Sequence, residues 1–165
     1  MQPYLQRISA GTGETAYVGV LDQQEVIYIA RSGTHWHMNA GYMLGSRVQA
    51  HVTAAGLAIL AAMGPERWDA WLHGVTLRPY TSHTVTDPER LRQTLLAVRA
   101  QGWALSEQQL EMNYRGVAVP LFDHADRLLG ALSVSMPMNN EGRETALQRV
   151  LPLLQETARL MRQLL

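Results

Sequence analysis

Two pairs of β-prone runs, one toward each end of the chain, limit the fold more than any other feature. Thr15–Leu21 (TAYVGVL) and Glu25–Ala30 (EVIYIA) are rich in Val, Ile and Tyr, and only Asp22, Gln23 and Gln24 separate them. A gap that short suits a hairpin loop. Tyr114–Phe122 (YRGVAVPLF) and Leu128–Met136 (LLGALSVSM) are joined in the same way by the polar turn DHADR. Strands linked by short turns pair antiparallel, because a parallel pair needs a long crossover.

The segments around these pairs read mostly as helix. Gln2–Ser9 carries Tyr4, Leu5 and Ile8 at helical spacing, with Gly11 and Gly13 to stop it. Thr53–Met63 (TAAGLAILAAM) is small, apolar and helix-favouring, with Thr53 as its N-cap. Gly64-Pro65 ends it and opens a short helix over Glu66–Leu72. Asp87-Pro88 starts another helix, which runs to Gly102 with Leu91, Leu95 and Val98 on one stripe. The last helix is expected over Glu144–Leu165, with Pro152 kinking it or ending its first turn. Trp36–Ala40 reads as a third strand, Gly41–Gln49 as a glycine-punctuated loop, and Trp103–Glu107 as extended chain. The resulting order is helix, three strands, three helices, three strands, helix. It implies an α+β fold with a mixed or antiparallel sheet flanked by helices.

Composition narrows the function. With 165 residues, 47% of them hydrophobic, the chain can bury one real core, so a single domain over residues 1–165 is expected. The formal net charge is zero and every basic residue is Arg, with no basic run. A nucleic-acid surface normally shows as a basic excess or stripe. The absence of cysteine removes disulfides, thiolate nucleophiles and Cys-based zinc sites. No apolar run is long enough to span a bilayer and no signal peptide is visible, so the expected location is the cytoplasm, with no membrane partner.

Five segments then fall into a familiar order. Gly45-Ser46-Arg47-Val48-Gln49-Ala50-His51-Val52-Thr53-Ala54-Ala55-Gly56 with LAILAAM resembles the signature loop and helix of the effector-binding domain of IclR-type bacterial transcription regulators. Pro79–Pro88 (PYTSHTVTDP), Val98–Ala104 (VRAQGWA), Arg115–Pro120 (RGVAVP) and Ala131–Ser135 (ALSVS) match the family's later motifs in register. The resemblance implies a GAF-like (profilin-like) fold: a curved, mainly antiparallel sheet with helices on both faces. It also implies a sensor of a small carboxylate, no enzymatic activity and no cofactor. Homodimers or homotetramers are expected. DNA would be bound only through an N-terminal winged helix-turn-helix domain, which is absent from this chain. Tyr28–Arg31 and Glu107–Glu111 look like the regulators of aromatic-acid catabolism, those answering to protocatechuate or 4-hydroxybenzoate.

The candidate ligand residues follow from both arguments. Ala54, Ala55 and Gly56 occupy a helix first turn, whose free amides attract anions and whose small side chains let one approach. Ser133 and Ser135 share a strand face, opposite Leu132 and Val134, and need partners if buried. The resemblance carries over contacts at Ser106 and Gly116, with Tyr114 nearby and Ala40 as a wall. Where sensors of two- or three-carbon acids carry an acidic and a larger side chain, Ser106 and Gly116 imply a roomier pocket. Tyr42, Trp36 and Met38 could stack on a ring or could be plain core. Arg47 is a candidate carboxylate partner or a structural contact.

Other readings remain. A hydrolase would need a nucleophile–base pair, and no G-x-S-x-G elbow is present. His35, His37 and His51 could hold zinc. A dimerisation module without ligand would also use the broad apolar face of the last helix.

Overall fold

The computed structural model describes residues 1–33 and 43–165. The expected strand at Trp36–Ala40 lies outside the described residues, as do His35, His37, Met38 and Tyr42.

The described elements are helices α1 (Gln2–Thr12), α2 (Ala54–Met63), α3 (Pro65–His73), α4 (Pro88–Gln101) and α5 (Arg143–Arg162), and strands β1 (Thr15–Asp22), β2 (Glu25–Ser32), β3 (Arg47–Gln49), β4 (Ala104–Glu107), β5 (Tyr114–Phe122) and β6 (Leu128–Pro137). A 3-10 turn, Ala50–Val52, leads into α2. The strands form one curled, antiparallel sheet in the order β3-β2-β1-β6-β5-β4. This is the expected α+β, GAF-like arrangement.

Alternation along the strands gives the sheet two buried faces. On one side Ala16, Val18, Val117, Val119, Leu132 and Val134 pack against Leu5 and Ile8 of α1 and Val150, Leu154 and Met161 of α5. On the other, Tyr17, Tyr28, Ala104, Ala118 and Ala131 meet α2, with Leu91, Leu95 and Val98 of α4 behind it. Helix α2 has no polar stripe, and every residue from Ala54 to Ala61 is buried. A helix apolar all round belongs inside a protein, and the small strand residues beneath α2 let it lie close to the sheet.

Several boundaries differ from expectation. Residues Arg47–Gln49, read as loop, form the edge strand β3, in which Val48 pairs with Val26. Three residues are too few to show an alternating pattern. Helix α1 runs through Gly11, where a side chain would meet Leu153 of α5 at 2.7 Å, and stops at Gly13, left-handed at φ 74°. Helix α5 continues through Pro152, which forfeits one backbone hydrogen bond while its neighbours Val150 and Leu154 stay buried.

Candidate functional site

The site is assembled where α2 begins. Thr53 is extended and caps the helix, accepting a hydrogen bond from the Gly56 amide at 3.0 Å. The amides of Ala54 and Ala55 have no acceptor within their own helix, as at any helix start. A methyl built on Gly116 would lie 3.2 Å from Ala54 Cβ and 3.9 Å from its nitrogen, so this glycine lets the start of α2 sit directly on β5.

Register places the polar strand residues around that point. Ser106 pairs with Gly116, Gly116 with Ser135, and Ser135 with Thr15, a single row across β4, β5, β6 and β1. In the next row Ala104 pairs with Ala118, Ala118 with Ser133, and Ser133 with Tyr17. Together with α2 these rows bound an open cleft with a cavity volume of about 60 Å³, lined by Ala54, Ala55, Ser106, Tyr114, Gly116, Ser133 and Ser135 among others. The Ser106 hydroxyl donates to the Val52 carbonyl at 3.2 Å, whereas the hydroxyls of Ser133 and Ser135 make no hydrogen bond to a described residue.

Gly56 does not line the cleft. Its amide is taken by Thr53, and a Cβ there would come within 2.0 Å of the Ala50 carbonyl oxygen, so its missing side chain serves packing against the 3-10 turn. Ala40 and Tyr42 lie outside the described residues. Arg47 points away, to an exposed cluster with Asp22 at 2.7 Å and Glu25 at 3.1 Å.

Sequence reasoning missed two parts of the lining. Tyr17 and Tyr28 form an aromatic wall, their ring centroids 4.9 Å apart and tilted by 50°. Residues 108–111, between β4 and β5, add Gln108, Gln109, Leu110 and Glu111 to the lining. This flap is held by the Pro79–Pro88 segment: the Thr81 hydroxyl donates to the Gln108 carbonyl, and that of Thr84 to the Gln109 carbonyl at 2.6 Å. The Gln109 side chain returns a bond, accepting from the Val85 amide at 3.2 Å.

Charge is set beside the cleft by Arg115, buried and donating twice to Glu107, at 3.0 and 2.6 Å. Burial alone would push the Glu107 carboxyl up, but the Arg115 and Arg143 guanidiniums together hold it below its usual range. Burial, followed by the carboxylates of Glu111 and Glu14, raises the Tyr114 phenol and keeps it protonated. His51 is buried, with Nε2 3.1 Å from the Arg78 carbonyl. Among the described residues no group of three or more His, Asp or Glu side chains is placed to hold a metal.

The family model described as bacterial transcriptional regulator IclR C-terminal matches residues 1–162. The chain is similar to the Pca regulon regulatory protein of Pseudomonas putida, at 38% identity over 159 residues, covering 96% of this chain and 55% of that protein. It is 34% identical over 168 residues to the Pca operon regulatory protein of Acinetobacter baylyi, covering 99% of this chain and 60% of that protein. Among solved structures it resembles a double mutant of the PobR inducer-binding domain from Acinetobacter, in complex with 3-hydroxybenzoic acid. That likeness has a TM-score of 0.93 at 31% identity and covers 99% of this chain and 96% of that one. The chain thus spans a little over half the length of these curated relatives.

Proposed function

The chain belongs to the IclR C-terminal family of bacterial transcriptional regulators, and from that premise we propose that it is a sensor domain whose cleft binds a small aromatic carboxylate. One observation carries the reading: Ser133 and Ser135 of β6 line one cleft together with Ala54 and Ala55, whose amides the Thr53 cap leaves free, and with two tyrosines. Amides at a helix start and serine hydroxyls donate to a carboxylate, while Tyr17 and Tyr28 offer an apolar face to a ring. The bound hydroxybenzoate of the similar PobR domain supports this choice of ligand.

The domain acts by binding, not catalysis, in keeping with relatives named as transcriptional regulators. The effector's differential affinity for two arrangements of the full-length regulator shifts their populations, and with them operator binding by a DNA-binding domain elsewhere in the protein. Assembly as a homodimer or homotetramer in the cytoplasm belongs to the same proposal.

Calorimetry and thermal melting with 3-hydroxybenzoate, 4-hydroxybenzoate and protocatechuate test it. At a hundredfold excess over Kd, a ligand of the native state adds about 2.7 kcal/mol, or roughly 5–10 °C in Tm for a domain of this size. Absence of both heat and shift at millimolar concentrations of all three acids would refute the sensor reading.

A further inference from the structure

The sensing cleft accounts for the open serines and the helix start but leaves one cation unexplained. Of the described arginines that are not exposed, Arg92, Arg115 and Arg149 each have carboxylate partners. Arg31 has none, and its Nε is buried without a hydrogen-bond partner. Arg31 is half-buried as a whole, but a donor nitrogen shut off from water without an acceptor is costly, so such a group is normally matched.

Its direction follows from its neighbours on β2. Ala30 packs in the α1–α5 core, and the Ser32 hydroxyl is 2.9 Å from that of Ser9 on α1. Side chains alternate along a strand, so Arg31 points to the opposite face, that of α2 and the cleft. Register agrees, because Arg31 pairs with Tyr17, and Tyr17 with Ser133. Arg31 therefore extends the row Ala118–Ser133–Tyr17 by one strand, past the aromatic wall and just outside the residues that line the cleft itself.

Resting on the proposed function, we infer that Arg31 is the second pole of the cleft. It receives an anionic or strongly accepting group at the end of the ligand opposite the carboxylate held by α2. Strands β2 and β5 are three steps apart, so the backbone at Arg31 and that beneath the start of α2 are separated by roughly 14 Å. An extended arginine covers about half of that. The remainder matches a benzene ring with a substituent at each end. The cleft therefore selects acids bearing a second acidic or hydroxyl group across the ring, over acids with one polar end. Arginine suits this role because its fork can donate two parallel bonds to one acceptor group.

The experiment titrates wild type, Arg31→Gln and Arg31→Lys with benzoate, 4-hydroxybenzoate and terephthalate by calorimetry, and records each variant's melting temperature without ligand. The wild type is expected to bind 4-hydroxybenzoate or terephthalate at least about tenfold more tightly than benzoate, a gap of one good polar contact. Arg31→Gln should abolish that preference, leave benzoate binding unchanged and melt within a few degrees of wild type; Arg31→Lys should restore it in part. A variant that keeps the wild-type preference overturns the inference alone, and so does a wild type with no preference. If the wild type binds none of the three acids, the sensor reading fails and this inference falls with it. Should Arg31→Gln fail to fold, Arg31→Lys decides: unchanged preference with Lys overturns the bidentate role.

Discussion

The hydroxyl of Thr84 donates to the carbonyl of Gln109 at 2.6 Å while accepting from the amides of Tyr80 and Thr81 at 3.0 and 2.9 Å. One side chain thus ties the segment before α4 to the flap that lines the cleft. Thr84→Val keeps the shape and removes these bonds. The expected loss is about 1–3 kcal/mol of stability, with faster exchange of the Gln108–Glu111 amides. Effector affinity should fall as the flap loosens. Hydrogen exchange and calorimetry on the same variant check both.

Gly56 and Gly116 separate packing from binding. Gly56→Ala would force a methyl to within 2.0 Å of the Ala50 carbonyl oxygen, part of a backbone that has no rotamer to yield. Destabilisation of about 1–3 kcal/mol or more is expected in urea titrations. Gly116→Ala meets the Ala54 methyl at 3.2 Å, and the Val134 carbonyl oxygen and Ala54 nitrogen only at ordinary contact, 3.6 and 3.9 Å. It should cost less stability and act mainly by narrowing the cleft, lowering affinity for a ring-sized acid.

Thr53→Ala removes the cap of α2 and should cost about 1 kcal/mol. Ser135→Ala should leave the melting temperature near that of wild type but weaken effector binding by about tenfold, the worth of one charge-assisted hydrogen bond. Calorimetry that found Ser135→Ala unchanged would move the carboxylate elsewhere in the cleft.

Glu107 and His51 each contribute to the response to acid. The Glu107 carboxyl is held below its ordinary 4.5. Its contribution is full above that pH and disappears as pH falls through the lower, folded value. Glu107→Gln should therefore flatten the stability profile in that acid window. His51 has its folded pKa lowered from 6.5 by burial, against the opposing pull of the Arg78 carbonyl. A neutral native imidazole must charge on unfolding, so its share of stability is present above pH 6.5 and is lost as pH falls through the folded value. His51→Gln should remove that second slope, measured by urea unfolding across the range.

Much of this molecule is legible in its sequence because the signals are local. The Thr53 cap, the Asp87-Pro88 start and the limits of β5 depend on neighbours only a few residues away. The motif resemblance located the cleft-lining Ala54, Ser106, Gly116, Ser133 and Ser135. What stayed hidden depends on register between distant strands. Tyr17 and Tyr28 read as ordinary β residues until pairing sets them side by side, and the β-bulge near Gly19 further obscures which face Tyr28 takes. The role of Thr81 and Thr84 was invisible because their partners, Gln108 and Gln109, lie 27 and 25 residues downstream. Gly56 misled for the opposite reason: a helix-start glycine can serve a ligand or a neighbouring backbone, and only the position of Ala50 decides.

The sheet ends in two blunt margins. Strand β3 has three residues, one of them Arg47 with its carboxylate partners, and β4 has four, ending in the Glu107 ion pairs. Short, charged margins resist the runaway strand-on-strand stacking that exposed ladders invite. Two copies approaching margin to margin would find only a few rungs, with one charged residue on each strand. Among the described strands, association of copies edge to edge is therefore disfavoured.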